Sequence, residues 1–228
     1  MKIGVLALQG SFVEHIAVLN KLNNKYNKLN IEAVEIRLPE QLKEMDGLII
    51  PGGESTTMMQ LIRDYGFIDA LKEFAGFGCE KSFIKPIEES NRKSSGEQNG
   101  KPIMGTCAGC IVLANMGFID IKVERNAYGS QLESFEDDIV VDFSAVNSDV
   151  KKNYHSVFIR APKIIFVGKN VQVIGKCNNN NNKYENNNEN HEPVLVKEKK
   201  IICCTFHPEL SDDDRMHKMF IGIVSGYT

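Results

Sequence analysis

Four short apolar runs, at residues 3–8, 31–38, 47–50 and 102–105, the second interrupted by Glu32, Glu35 and Arg37, alternate with stretches of helical periodicity, and no other feature limits the possible folds as much. A strand without a polar face must be covered on both sides. Helical spacing fills the first gap: Phe12, Ile16, Leu19, Leu22, Tyr26 and Leu29 recur at intervals of three and four and share one face. The pattern is β-α-β, and it specifies an α/β fold: a three-layer, mostly parallel sheet with helices on both faces. Ligands of such sheets bind beyond the carboxyl ends of the strands, so the loops that follow the apolar runs are where chemistry is expected.

After Ala114 the texture changes to short β-rich pieces at 119–123, 139–143, 157–160, 164–167 and 171–175, which predict an antiparallel extension of the sheet. Strand-like segments at 171–176 and 194–202 flank asparagine runs at 178–182 and 186–188. Such a polar tract buries too little surface to offset its ordering entropy and is expected to be a disordered hairpin tip. Most of 73–101 lapses into Gly, Ser, Lys, Glu and Asn and reads as a surface insertion. At 228 residues and 42% hydrophobic content, a single domain over 1–228 is expected, with insertions near 76–100 and 178–192. Ser211, followed by Asp212, Asp213 and Asp214, reads as the amino-terminal cap of a closing helix. Met216, Met219, Phe220, Ile223 and Val224 would form its core face.

A formal charge of −3 and a pI near 6.0, with no Lys/Arg block, argue against nucleic acid as a partner. The first apolar run ends at Gln9-Gly10-Ser11, too soon for a secretory signal, and is read as a buried strand. No apolar run reaches the roughly 20 residues that span a bilayer. The six cysteines form no regular framework, and adjacent Cys203 and Cys204 pair poorly with each other. A soluble, cytoplasmic protein in a reducing compartment is expected.

Three punctuated loops carry the chemistry. Gly105-Thr106-Cys107-Ala108-Gly109 places a cysteine between glycines, after an apolar run and before a helical one. This is the sequence form of a nucleophile elbow, in which a strand turns sharply into a helix and glycines relieve the crowding. A helix amino terminus there favours thiolate over thiol. Pro51-Gly52-Gly53-Glu54-Ser55-Thr56 also follows a strand; its glycines let amides face an anion, and Ser55 or Thr56 could cap the next helix. On its own a Gly-Gly pair is a common strand-to-helix turn. His207-Pro208-Glu209 follows a strand at 200–204, and an imidazole oriented by a carboxylate can exchange a proton with a thiol. His15 and His217 fall on helices, where a solvated or core-edge role is expected instead.

Cys107 and Cys110 also make a C-x-x-C pair, which leaves a thiol redox reading open. Cys110 reads more simply as a small apolar core residue. A zinc site from Cys107, Cys110, Cys203 and His207 lacks the usual ligand spacing.

Taken together, Gly105-Thr-Cys107-Ala-Gly109, Pro51-Gly-Gly-Glu-Ser-Thr56 and His207-Pro-Glu209 resemble the class I, or triad-type, glutamine amidotransferases. The match narrows to the glutaminase subunits of pyridoxal 5′-phosphate synthase through residues 3–10, Glu124-Arg-Asn-Ala-Tyr-Gly129, Ser134-Phe-Glu136, Phe158-Ile-Arg-Ala-Pro162 and His207-Pro-Glu-Leu210. The resemblance implies Cys107 as nucleophile, His207 as acid/base and Glu209 as its orienting carboxylate. It implies an oxyanion hole from the amides of Gly53 and Ala108, and a glutamine pocket lined by Gly53, Glu54, Ser55, Arg125, Ile159 and Arg160. It further implies hydrolysis of L-glutamine to L-glutamate and ammonia, no cofactor or metal, and a ring-shaped synthase partner that uses the ammonia to make pyridoxal 5′-phosphate. Cys110 in place of an aliphatic residue, the long 77–100 segment and the asparagine tract depart from the family pattern. A catalytically silent regulatory subunit is the reading outside enzymology.

Overall fold

The computed structural model describes residues 1–26, 29–77, 100–125, 134–143, 152–178 and 191–226. The asparagine tract at 179–190 and residues 78–99 lie outside them, and so do the expectations placed there. In chain order the elements are β1 (Lys2–Leu6), α1 (Phe12–Lys25), β2 (Glu32–Ile36), β3 (Gly47–Ile50), α2 (Ser55–Asp64), α3 (Phe67–Phe74), β4 (Ile103–Thr106), α4 (Ala108–Asn115) and β5 (Ile121–Glu124). There follow β6 (Ser134–Val141), β7 (Lys152–Ile159), β8 (Lys163–Val167), β9 (Gln172–Asn178), β10 (His191–Glu198), β11 (Ile201–Cys204) and α5 (Arg215–Val224). Short 3-10 segments occupy Pro39–Glu44 and Pro208–Leu210.

Among the described residues, nine strands form one sheet in the order β2-β1-β3-β4-β11-β10-β9-β6-β7, and β5 pairs with β8 in a separate ribbon. The β2 to β11 half is parallel and the β10 to β7 half antiparallel. The predicted extension is therefore present, except that its segments at 119–123 and 164–167 form the separate β5-β8 ribbon instead of joining the sheet, and β11 is the strand at which direction changes.

Side-chain alternation along the parallel strands sorts the apolar residues into two cores. Ile3, Val5, Ile49, Met104, Ile202 and Cys204 face one side, where Leu19 and Leu22 of α1 and Met216, Met219 and Phe220 of α5 cover them. Leu6, Leu48, Ile50, Ile103 and Cys203 face the other, under Met58 and Ile62 of α2, Phe67 and Leu71 of α3 and Cys110, Val112 and Leu113 of α4. This double coverage is why the runs of β1, β3 and β4 have no polar face, whereas the edge strand β2 keeps Glu32 and Glu35 exposed. The antiparallel half is filled by aromatic rings: Phe135 stacks on its cross-strand partner Phe158 at 4.5 Å, and Phe206 meets both Phe158 and Tyr154.

The structure corrects four boundaries. The 194–202 segment is two strands, because Lys199 adopts φ 52 and reverses the chain between β10 and β11. A Lys-Lys turn lacks the Gly or Asn that announces such hairpins. Asn178 and His191 belong to β9 and β10, so the insertion between them is shorter than 178–192. The closing helix starts at Arg215 with Asp214 as its cap residue, while Ser211 ends the 3-10 turn and accepts from Asp213 N–H at 3.1 Å. Glu54, not Ser55 or Thr56, caps α2: its carboxylate accepts from Thr56 N–H at 3.0 Å and Thr57 N–H at 2.6 Å. No helix among the described residues is long and apolar enough to cross a membrane.

Candidate active site

Cys107 joins β4 to α4 with φ 48 and ψ −105, a combination that L-residues strongly avoid. Neighbouring structure holds it there. Its N–H donates to the Cys204 carbonyl at 2.9 Å, and the glycines on either side are needed for space. A Cβ on Gly109 would lie 2.0 Å from the Ile50 carbonyl oxygen, and one on Gly105 would lie 2.6 Å from Leu113 Cδ1. The elbow thus presses α4 directly onto β3. Ala108, first residue of α4, carries one of the helix-start amides that have no intrahelical acceptor.

His207 enters from the adjacent strand, since β11 pairs with β4 in parallel with Cys204 opposite Thr106. Its N–H donates to the Val157 carbonyl at 2.8 Å, which ties the loop to β7. The Gly52 backbone packs against imidazole and thiol carbon together: a Cβ there would meet His207 Cε1 at 2.3 Å and Cys107 Cβ at 3.3 Å. His207 Nδ1 lies 2.7 Å from Glu209 Oε1. A carboxylate only accepts, so Nδ1 bears the proton and Nε2 is left to exchange one with another group.

Both members of this pair are buried, His207 at 7% exposure and Glu209 at 6%. Burial opposes the charge on His207, but hydrogen bonds to Cys107 and to Glu209 outweigh it and bring the imidazole up to about 10. Burial likewise opposes charge on Glu209; the neighbouring His15, His207 and Ser11 outweigh it and hold the carboxyl at about 2.

Four loops meet at the rim, one more than the sequence had indicated. The additional loop follows β1: Gln9 Oε1 accepts from Glu54 N–H at 3.0 Å, and Ser11 Oγ donates to Glu209 Oε1 at 2.5 Å. Ser11 N–H also donates to the Gly52 carbonyl at 3.1 Å. Gly10-Ser11 after an apolar run carries the same turn signature as the other loops, and that was the available signal.

Of the residues expected to line the glutamine pocket, Gly53 adopts φ 156 and packs against the Gln9 side chain. Arg125 binds Glu54 Oε1 at 2.9 Å and Thr56 Oγ1 at 2.8 Å, which brings a cation beside the Gly52-Gly53 loop. The Thr57 and Thr56 amides hold the Glu54 carboxyl at about 2. Ser55 is buried as the first residue of α2. The Ile159 carbonyl accepts from Cys107 Sγ at 3.8 Å, and Arg160 beside it is exposed with φ 45.

Cys110 is fully buried in the α2, α3 and α4 core next to Cys203, and all five described cysteines are free thiols. It points away from the rim that Cys107 faces. Among the described residues no His, Cys, Asp and Glu grouping is arranged to hold a metal.

The chain matches the SNO glutamine amidotransferase family over residues 5–84 and 80–225. It is 40% identical to the pyridoxal 5′-phosphate synthase subunit PdxT of Brevibacillus brevis, an alignment covering 100% of this chain and 99% of that protein. Identity to the PdxT of Thermotoga maritima is also 40%, over 98% of this chain and 100% of that protein. A crystal structure of a glutamine amidotransferase superposes with a TM-score of 0.74 at 34% identity, covering 98% of both chains.

Proposed function

The chain belongs to the SNO glutamine amidotransferase family, and from that membership we propose that it hydrolyses L-glutamine to L-glutamate and ammonia, with Cys107, His207 and Glu209 as its triad and a pyridoxal 5′-phosphate synthase subunit as the consumer of the ammonia. The observation that supports the residue roles most is the contact of one glycine, Gly52, with imidazole and thiol carbon at once, while the far ring nitrogen is fixed on Glu209.

Cys107 Sγ attacks the side-chain carbonyl carbon, and the carbonyl π electrons move to oxygen. The resulting oxyanion sits against the amides of Gly53 and Ala108. Collapse re-forms the carbonyl and breaks the C–N bond; His207 gives its Nε2 proton to the departing nitrogen, so ammonia leaves and a γ-glutamyl thioester remains. Neutral His207 then takes a proton from water as it attacks, and the second collapse returns glutamate and the thiolate. Glu209 holds the imidazole in the tautomer that serves both steps. A glutamine carries an α-carboxylate and an α-ammonium, and Arg125, Arg160 and Glu54 are charges of the right signs near the loop to receive them.

Ammonia is useful to a synthase only if it is delivered before protonation by solvent. We therefore expect turnover to depend on docking. The Gly52 carbonyl is committed to Ser11 N–H, and turning the Gly53 amide toward the oxyanion breaks that bond; glycine makes the rotation easy, and partner contacts would offset the loss. Glutamate release should rise about 100-fold on adding the synthase subunit, the worth of one oxyanion donor. Full turnover by the isolated chain would reject the docking requirement.

Thiol redox chemistry through Cys107 and Cys110 is disfavoured by the burial of Cys110. Cys110→Ala should keep glutamine turnover within about twofold, as expected of a small core truncation. A loss equal to that of a Cys107 variant would restore the redox reading.

A further inference from the structure

Behind Glu209 the polar chain continues into the protein. Glu209 Oε2 lies 3.3 Å from His15 Nε2, and this nitrogen also lies 3.2 Å from Thr106 Oγ1. His15 Nδ1 is 2.9 Å from His217 Nε2. Both histidines have zero exposure, held between α1, α5 and the sheet. Neither sits at the core edge, where the sequence placed them.

The protonation pattern follows from the partners. A lone pair on His15 Nε2 would face a carboxylate oxygen at 3.3 Å, so Nε2 carries the hydrogen and donates it to Thr106 Oγ1, leaving Glu209 Oε2 close to this N–H without a hydrogen bond of its own. Neutral His15 then accepts at Nδ1, and His217 Nε2–H is the donor. The last nitrogen, His217 Nδ1, needs no hydrogen, and it has no hydrogen-bond partner among the described residues. An unpaired acceptor nitrogen is the cheapest way to end such a chain in a core. Burial and the neighbouring ring keep His217 neutral, at about 3, and burial pushes His15 down as well.

Resting on the triad assignment above, we propose that His15 is a positioning residue for the glutaminase reaction: its Nε2–H, bonded to Thr106, approaches the outer oxygen of Glu209 to 3.3 Å and stabilises that anion electrostatically so that the inner oxygen stays on His207, and His217 locks the tautomer that makes this possible. Ser11 and His207 both bond the inner oxygen, so the outer oxygen depends on the nearby His15 N–H. The charged and titratable groups facing this assembly are Glu14 and Ser11 from the α1 end, Cys204 of β11, Cys107 and His207 at the rim, and Asp214 before α5.

The test compares the whole protein with His15→Leu, which removes the donor, and His15→Gln, which replaces it with an amide N–H. Histidine NMR titration reads His207 directly, and glutamate release with the synthase subunit reads turnover. In His15→Leu the buried Glu209 anion loses a stabilising partner and its orientation, so the His207 midpoint should fall from about 10 by roughly one unit or more. kcat should fall at least about tenfold with KM changed less than about twofold, and His15→Gln should recover most of both. A folded His15→Leu with an unmoved His207 midpoint, or a His15→Gln no better than it, overturns the proposal. If His15→Leu does not fold, His217→Phe is read the same way, since freeing the His15 tautomer should also lower the His207 midpoint; no movement overturns the proposal. Absence of turnover in the unsubstituted protein with synthase would instead defeat the glutaminase assignment, while the NMR comparison still decides the role of His15.

Discussion

Cys107→Ala is expected to abolish glutamine hydrolysis, a loss on the order of 10⁴-fold or more, because no other group at the rim can form the thioester. The remaining cysteines among the described residues are buried, and burial pushes the Cys203 and Cys204 thiols well above the ordinary range. Glutamate release with the synthase subunit present measures the loss; residual turnover within about 100-fold of the parent would remove Cys107 from the nucleophile role. The backbone adds a second expectation at the same position. With φ 48 and ψ −105 the cysteine is strained, and glycine is not. Cys107→Gly should be equally inactive yet more stable by about 1 kcal/mol or more, raising Tm by about 2–4 °C for a chain of this size. An alanine variant as stable as the glycine variant would mean that the elbow stores no strain.

Gly109→Ala should be among the most damaging single methyl additions at the described residues. The new carbon would meet the Ile50 carbonyl oxygen at 2.0 Å, and the obstacle is backbone rather than a side-chain tip that can swing aside. Either α4 lifts from β3 or the elbow opens. Overpacking of this kind costs about 3 kcal/mol, a fall in Tm of roughly 6–12 °C. Since α4 begins at Ala108, the shift also displaces the thiol, and turnover should drop together with stability. Gly66→Ala is the control: it has φ 74 but nothing within 4 Å of the added carbon, so it should cost only the conformational penalty of about 1 kcal/mol. Equal Tm values for the two variants would contradict the packing argument.

The convergence of Cys107, His207 and Glu209 was legible because each sits in a short segment whose local chemistry is distinctive: a cysteine between glycines, and a histidine two residues from a glutamate. The parallel sheet was legible for a similar reason, since double burial leaves an unbroken apolar run. What surrounds Glu209 was not. Ser11 is 198 residues away from it in sequence, and His15 is 202 residues from His217. The packing of the start of α1 on the 3-10 turn at Pro208–Leu210 joins the first pair, and the packing of α1 on α5 joins the second. One local clue existed: His15, Leu19 and Leu22 form the buried stripe of α1, so a polar ring occupies an apolar position and needs a buried partner. The helix caps were misread for a different reason. Serine and threonine are the common cap residues, but at Glu54 a longer side chain satisfies two amides and also meets Arg125.

Because Cys107 and His207 follow β4 and β11, hydrogen-bonded neighbours running in the same direction, the loops that carry thiol and imidazole start one interstrand spacing apart, about 4.8 Å. The ruler is main-chain geometry, which every sequence shares. Descendants of this chain can lengthen the connection from α3 to β4 or the hairpin from β9 to β10 without moving the starts of those two loops. Novelty can accumulate at the periphery while this spacing is inherited unchanged.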